Sequence, residues 1–287
     1  MKTITSITEM QREAERLRAE GLRIGFVPTM GSLHEGHLDL LRLSRRHADV
    51  VVMSVFVNPT QFGAGEDFTL YPRNPERDAR LAEDAGCDIL FSPDADEVYP
   101  PGASTWVQVE GPDAILEGTF RPTHFRGVTT VVTMLFHMVK PHHAVFGQKD
   151  AQQALIIRRM VRDLHMDIEL LVAPTRRDPD GLAMSSRNTY LSESARAEAL
   201  AISRSLRLAQ RYVVDGGRDA QALLRMVSDE LTRTGALIPD YVALVDTDTL
   251  EAIERIGTTP VLLAIAARVG KTRLIDNTIL RAETIES

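Results

Sequence analysis

Residues 26–37 read Phe26-Val27-Pro28-Thr29-Met30-Gly31-Ser32-Leu33-His34-Glu35-Gly36-His37, and they join two different periodicities. Upstream, residues 22–28 form the apolar run of a strand; downstream, residues 36–48 carry the spacing of a helix. The stretch therefore lies where a strand ends and a helix begins, the place where open α/β sheets form a ligand-binding crevice. Gly31 and Gly36 let the backbone approach a ligand closely. The helix N-terminus offers unpaired N–H groups and a partial positive charge, both suited to phosphate. His34 and His37, three residues apart, share one helical face. Phosphate recognition, two surface histidines and a metal pair are all readings of this stretch, although HExxH sites place their histidines four apart.

Working outward, Ser6 and Glu9 have capping-box spacing and open a charged helix that ends near Gly21. Residues 49–57 are a second strand, nearly all apolar, as expected where both sheet faces are covered. A helix over 75–85 leads to a short strand at 88–91. Beyond a loop rich in Pro and Gly, the pattern predicts a helix over 127–139, a strand over 144–146, a helix over 151–164 and a strand over 167–172. Strands alternating with helices imply right-handed crossovers, so the expected class is α/β, with a Rossmann-like, mainly parallel sheet. The pattern changes at 174–181. Two amphipathic helices, 192–214 and 220–234, precede extended segments at 241–245, 261–267 and 272–277, as in a smaller α+β domain with antiparallel pairing. The expected domains are 1–175 and 176–287.

A length of 287 residues suits one or two domains, and 44% hydrophobic with 25% charged residues is ordinary for a globular protein. With 33 Lys and Arg against 40 Asp and Glu, the net charge of −7 argues against nucleic-acid binding. The lone Cys87 excludes an intramolecular disulfide and a Cys-rich zinc site, and suits a reducing compartment. The opening residues have no apolar core of signal-peptide length, and no apolar run approaches the roughly 20 residues of a membrane span. A cytoplasmic protein without membrane association is the expectation. Two further motifs fail on their own terms. Gly270-Lys271-Thr272 ends like a P-loop, but Ile265 stands where the first glycine belongs, and the segment lies between two strands, as a hairpin turn would. Gly63-Ala64-Gly65 begins like a dinucleotide fingerprint, but Phe68 replaces its third glycine.

His34-Glu35-Gly36-His37 resembles the HxGH signature of the nucleotidyltransferase superfamily, whose members carry a second phosphate-gripping loop late in the fold. Met184-Ser185-Ser186-Arg187 occupies that place. Three further stretches are Phe56-Val57-Asn58-Pro59-Thr60-Gln61-Phe62, Phe146-Gly147-Gln148-Lys149-Asp150-Ala151-Gln152-Gln153, and Asp180-Gly181-Leu182-Ala183-Met184-Ser185-Ser186-Arg187-Asn188. In this order the set resembles the pantothenate synthetase family, the pantoate–β-alanine ligases, through nearly the whole chain. Taken singly, Gln61, Lys149 and Gln153 also read as ordinary loop or helix-surface residues.

The resemblance implies ATP-dependent condensation of pantoate with β-alanine to pantothenate, AMP and pyrophosphate, through a pantoyl-adenylate. It assigns His34, His37, Lys149, Ser185, Ser186 and Arg187 to the triphosphate, with His37 as general acid/base and His34, Lys149 and Arg187 completing the catalytic set. The ATP site extends over Met30, Gly31, Ser32, Leu33, Glu35 and Gly36, and over Gly147, Gln148, Asp150, Arg176 and Met184, with Gly147 and Asp150 near the ribose. Gln61 and Gln153, with Asn58, are the implied clamp for pantoate and β-alanine. Mg²⁺ is expected with ATP, Asp78 being its implied protein contact, and no tightly bound organic cofactor is expected. The residues from 176 onward are expected to contribute the second phosphate loop and cover the active site, and a homodimer is implied. The chain departs from the family at Arg176, where an apolar residue is usual; an apolar side-chain contact under adenine is in doubt there, whereas a backbone contact is not. Another small-molecule nucleotidyltransferase and a non-catalytic nucleotide-binding protein are the alternatives; Gln61 and Gln153 speak against the first, and the full set of His34, His37, Lys149 and Arg187 against the second.

Overall fold

A computed structural model describes residues 1–63 and 68–282; Ala64 and Gly65 of the fingerprint-like stretch lie outside the described residues. The chain divides into two compact units, one of Met1–Gln148 with Gln152–Pro174, the other of Lys149–Ala151 with Thr175–Ser287.

In chain order the first unit contains β1 (Lys2–Ile4), α1 (Ile7–Ala19), β2 (Ile24–Thr29), α2 (Glu35–Arg45), β3 (Val50–Val55), α3 (Pro75–Asp84) and β4 (Ile89–Phe91). It continues through the short α4 (Ala95–Val98) and α5 (Glu117–Phe120) to α6 (His124–Val139), β5 (His143–Gly147), α7 (Ala151–Asp163) and β6 (Glu169–Ala173). Ala151 at the head of α7 groups with the second unit. The six strands form one parallel sheet in the order β1-β4-β3-β2-β5-β6. From β2 the chain runs outward through β3 to β4, then returns to lay β5 and β6 on the other side of β2. The order reverses between β2 and β5, so the ends of these two strands mark the topological switch point.

Alternation along the strands fills both faces. Phe26, Val52, Ala144 and Phe146 join Met10, Leu17, Val132, Phe136 and Ile157 of α1, α6 and α7 in one core. Val27, Val51, Met53 and Val145 join Leu38 and Leu41 of α2 and Ala82 of α3 in another. Ser6 caps α1 as its spacing predicts, its Oγ accepting the Glu9 N–H at 3.5 Å. The sequence reading misses β1, which is three residues long, buries only Ile4, and acquires strand geometry by pairing with β4.

The second unit contains α8 (Glu193–Val214), α9 (Ala220–Thr232) and an antiparallel sheet of β7 (Leu237–Asp246), β8 (Val261–Val269) and β9 (Thr272–Leu280). Ile202, Leu206 and Ala209 of α8 and Leu223, Val227 and Leu231 of α9 pack over Leu263 and Ile265 of β8. β7 begins earlier than its pattern suggests because Pro239 interrupts it. As an edge strand β7 tolerates that proline, at a register shift between Pro239 and Tyr241. Gly270-Lys271 is the two-residue turn between β8 and β9, with Val269 paired to Thr272 and Gly270 at φ +56°. Among the described residues no helix is long and apolar enough to cross a membrane.

Candidate active site

The loop after β2 is fixed by side chains that bond its backbone. Thr29 Oγ1 donates to the Ser54 carbonyl at 2.7 Å and accepts the Gly31 N–H at 3.2 Å. Gly31 has φ +80°, and a Cβ there would lie 2.9 Å from Asp78 Oδ2 and 3.0 Å from Val55 Cγ1, so only glycine fits. Ser32 follows at φ +52°, a conformation uncommon for a residue with a side chain. Asp78 of α3 compensates: its two oxygens accept the Ser32 and Leu33 N–H groups, each at 2.8 Å, while Arg77 Nη1 donates to the Leu33 carbonyl at 2.9 Å. Asp78 is only 2% exposed. That geometry makes it the anchor of this loop.

His34 is the N-cap of α2 and forms a capping box with His37. His34 Nδ1 accepts the Gly36 N–H at 3.1 Å, and His37 Nδ1 accepts the His34 N–H at 3.3 Å. The rings lie 4.0 Å apart at 33°. A nitrogen that accepts a backbone N–H carries no proton, so both neutral rings hold their proton on Nε2. Each is thereby a donor at Nε2, the polarity a phosphate oxygen requires. Glu35 is exposed and pairs with Arg42 at 3.0 Å.

Gln61 ends the 3₁₀ turn Pro59–Gln61 and is braced at both ends. Its Oε1 accepts Asn58 Nδ2 at 3.1 Å, and its Nε2 lies 2.9 Å from the Met30 sulfur. Asn58 Nδ2 also donates to the Gly127 carbonyl at 3.1 Å, and Asn58 Oδ1 accepts from the Tyr99 hydroxyl at 2.9 Å and from Thr60 Oγ1 at 3.0 Å. Asn58, 1% exposed, orients Gln61 through these bonds. Burial pushes the Tyr99 hydroxyl pKa upward, which keeps it a donor. At the backbone end, the Gln61 carbonyl accepts from His124 Nδ1 at 3.0 Å and Arg121 Nη2 at 3.3 Å. Arg121 also contacts His124 Nε2 at 3.1 Å. Gly127 lets α6 approach this turn; a Cβ there would lie 2.6 Å from the Thr60 carbonyl oxygen. The chain thus turns Gln61 so that its amide offers chiefly Nε2–H.

Gly147 closes β5 with nothing within 4 Å of where a Cβ would stand, leaving room above its backbone. Gln148 begins the 3₁₀ turn that continues through Lys149 to Asp150. Of the adjacent glutamines in α7, Gln153 is half-buried, whereas buried Gln152 is structural: it accepts the Glu117 N–H at 3.0 Å and donates to the Pro112 and Ile115 carbonyls at 2.8 Å.

Within the second unit, Lys149 Nζ lies 3.9 Å from Asp150 Oδ1, and its carbonyl accepts Asn277 Nδ2 at 2.9 Å. The loop Met184–Arg187 follows a tight hairpin in which Arg177 pairs with Ala183 and the Met184 N–H bonds the Arg176 carbonyl at 2.9 Å. The Met184 N–H and Arg176 carbonyl are therefore committed to each other, and the Arg176 side chain is exposed. Ser185 Oγ accepts the Arg187 N–H at 3.3 Å, and Asn188 Nδ2 holds the Ala183 carbonyl at 3.0 Å. Ser185, Ser186 and Arg187 are half-buried. The sequence reading misses Tyr99, Arg121, His124, Arg177, Asp276 and Asn277, each of which bonds a partner 40 or more residues away; the one sequence signal was the polar pair Asp276-Asn277 inside an apolar strand pattern.

A parallel sheet covered on both faces, with a histidine-capped helix beside its switch point, defines an α/β protein of Rossmann-like architecture. Comparison with known proteins narrows this: the family model for pantoate-beta-alanine ligase matches residues 2–279, and the chain belongs to that family. It is 52% identical over 280 residues to the pantothenate synthetase of Thermotoga petrophila, covering 98% of this chain and 100% of that one. It is equally similar to the pantothenate synthetase of Moorella thermoacetica, 52% over 280 residues, covering 98% and 99%. Crystal structures of the same kind share the fold. Pantothenate synthetase from Thermus thermophilus superposes with TM-score 0.90 at 45% identity, covering 97% of this chain and 99% of that one. The pantoate-beta-alanine ligase of Francisella tularensis, complexed with β-γ ATP and β-alanine, does so at 0.79 and 31% identity, covering 97% of each.

Proposed function

We propose that this chain condenses pantoate with β-alanine at the expense of ATP, in the cytoplasm, through a pantoyl-adenylate. A pantoate carboxylate oxygen attacks the α-phosphorus of ATP; the bond to the β-phosphate breaks, and pyrophosphate leaves with the electron pair. The β-alanine amine, having lost its ammonium proton, then attacks the activated carbonyl, and AMP departs with the electrons of the acyl–oxygen bond. Both steps need reactants held in line and charge stabilised on phosphate, which is positioning plus electrostatics. His34, His37, Lys149, Ser185, Ser186 and Arg187 serve the triphosphate in this reading. Gln61 and Gln153 serve pantoate, with Gln61 donating to the acid.

The observation that carries the reading is the capping box of His34 and His37, which makes both rings donors at Nε2, in a chain that matches its family over residues 2–279. In that tautomer neutral His37 offers phosphate a hydrogen bond from Nε2 and has no free ring nitrogen to act as a base, so the ammonium proton of β-alanine leaves by another route. Mg²⁺ enters as part of the MgATP substrate, held mainly by phosphate oxygens and water. The family homodimer is carried over to this chain; light scattering giving a monomer at working concentration would remove it.

Isotope exchange tests the chemistry. Labelled pyrophosphate should enter ATP when pantoate and Mg²⁺ are present and β-alanine is absent, and the exchange should vanish without pantoate or in Lys149→Ala. Exchange that required β-alanine would indicate concerted coupling, and ADP with phosphate as products would indicate an acyl phosphate. Either result overturns the adenylate.

A further inference from the structure

Asp276 and Asn277 are consecutive residues of β9, 4% and 5% exposed, and their side chains leave opposite faces of the strand. Asp276 forms a two-pronged pair with Arg177, at 2.6 Å from Nη1 and 3.0 Å from Nη2, and its Oδ1 accepts the Asn277 N–H at 2.8 Å. Arg177 Nη1 also donates to the Gly181 carbonyl at 3.3 Å, and Arg177 pairs with Ala183 across the hairpin that feeds Met184–Arg187. One residue on, Asn277 Nδ2 donates to the Lys149 carbonyl at 2.9 Å. Sheet packing does not call for either side chain. A buried strand position across from Ala264 is ordinarily apolar, and a buried amide or carboxylate is costly unless it is bonded. Here the bonds to Arg177 and to the Lys149 carbonyl lead to two places, and both adjoin segments assigned to the triphosphate.

We propose that Asp276 and Asn277 are positioning residues for nucleotide binding: together they fix Lys149 and the Met184–Arg187 loop in one frame. The proposal rests on the reading that these segments grip the triphosphate. A lysine is a point charge on a flexible four-carbon stem. Holding its backbone carbonyl limits where the ammonium reaches, and the rigid Arg177–Asp276 fork limits where the serines and Arg187 stand. Fixed spacing between the two grips lowers the ordering cost of binding a multiply charged ligand.

The test is calorimetric titration of the full-length protein with MgATP and, separately, with pantoate, alongside pyrophosphate exchange by the wild type. Asn277→Ala should weaken ATP binding by about three- to ten-fold, the worth of one hydrogen bond, and change pantoate binding by less than about two-fold. Asn277→Asp keeps the shape but turns the donor into an acceptor facing a carbonyl, so it should reproduce the ATP loss. Asp276→Asn should follow the same pattern with a larger loss; if it does not fold, the two Asn277 variants decide. ATP affinity within about two-fold of wild type in both Asn277 variants overturns the proposal, as does a parallel loss of both ligands. Wild-type exchange with unchanged ATP affinity in the variants sinks the proposal and leaves the reaction assignment standing. Absence of exchange in the wild type strikes the assignment, and the ATP titrations still decide the role of Asn277.

Discussion

Gln61 can present either end of its amide, and its neighbours make the choice. Asn58 occupies the oxygen, and Asn58 is itself held by Tyr99 and Thr60, so the Tyr99 hydroxyl, one residue removed from Gln61, helps set what Gln61 offers. Tyr99→Phe deletes that hydroxyl with little change of shape. It should raise KM for pantoate by about three- to ten-fold and leave KM for ATP unchanged, as steady-state kinetics with each substrate varied will read. An equal rise in both would mean that Tyr99 supports only the fold. Gln61→Ala and Gln153→Ala should each weaken pantoate binding more than ATP binding in calorimetric titrations; a loss confined to ATP would reverse the clamp assignment. The candidates Gln61 and Gln153 were legible because their motifs are contiguous. Tyr99 was not, because nothing local distinguishes a tyrosine that bonds Asn58 from one that simply packs.

At the scale of elements, the loop between β2 and α2 depends on α3. Asp78 satisfies two N–H groups beside a residue with positive φ, and a buried charged acceptor of this kind is worth more than a neutral one. Asp78→Asn keeps one acceptor and turns an NH₂ toward the other N–H. It should cost roughly 2–4 kcal/mol of stability by chemical denaturation and weaken ATP binding, with the Mg²⁺ dependence of activity unchanged. Recovery of activity at raised Mg²⁺ would instead make Asp78 a metal contact. The strand, turn and helix here could be read directly, because apolar period, glycine placement and histidine spacing are all local signals. The Asp78 anchor could not, since Asp78 lies 46 residues from Ser32 and 45 from Leu33 and only the packing of α3 brings them together. The same limit explains β1, whose three residues carry no period, and the early start of α6, where His124–Arg126 precede the glycine at which the apolar pattern becomes visible.

For the molecule as a whole, His143 links stability to pH. It is fully buried at the start of β5, with Nε2 2.9 Å from Ser44 Oγ and Nδ1 without a hydrogen-bond partner among the described residues. Burial pushes its pKa down, as do the charges of His47 and Arg23, against a smaller opposing effect of Glu169. His142 is lowered likewise, by burial first and then by Arg18 and Arg23. A base whose folded pKa is depressed holds fewer protons folded than unfolded. Its stabilising effect is complete above the unfolded value of about 6.5 and is lost as pH falls toward the folded value. The melting temperature should therefore fall as pH drops below about 6.5, and His143→Gln should flatten that fall. An unchanged slope in the variant would place the titration elsewhere. The bond between Asn277 and Lys149 bears on the molecule's history as well as its form. The two residues are 128 positions apart, and chains emerge from the ribosome at about 5–20 residues per second. Lys149 is therefore made roughly 6–26 s before the strand that bonds it, so a nascent chain has its histidine pair well before the Lys149 carbonyl is held. If Asn277 positions Lys149 as proposed, a chain cut before residue 277 should bind ATP weakly, whatever the state of its histidine pair.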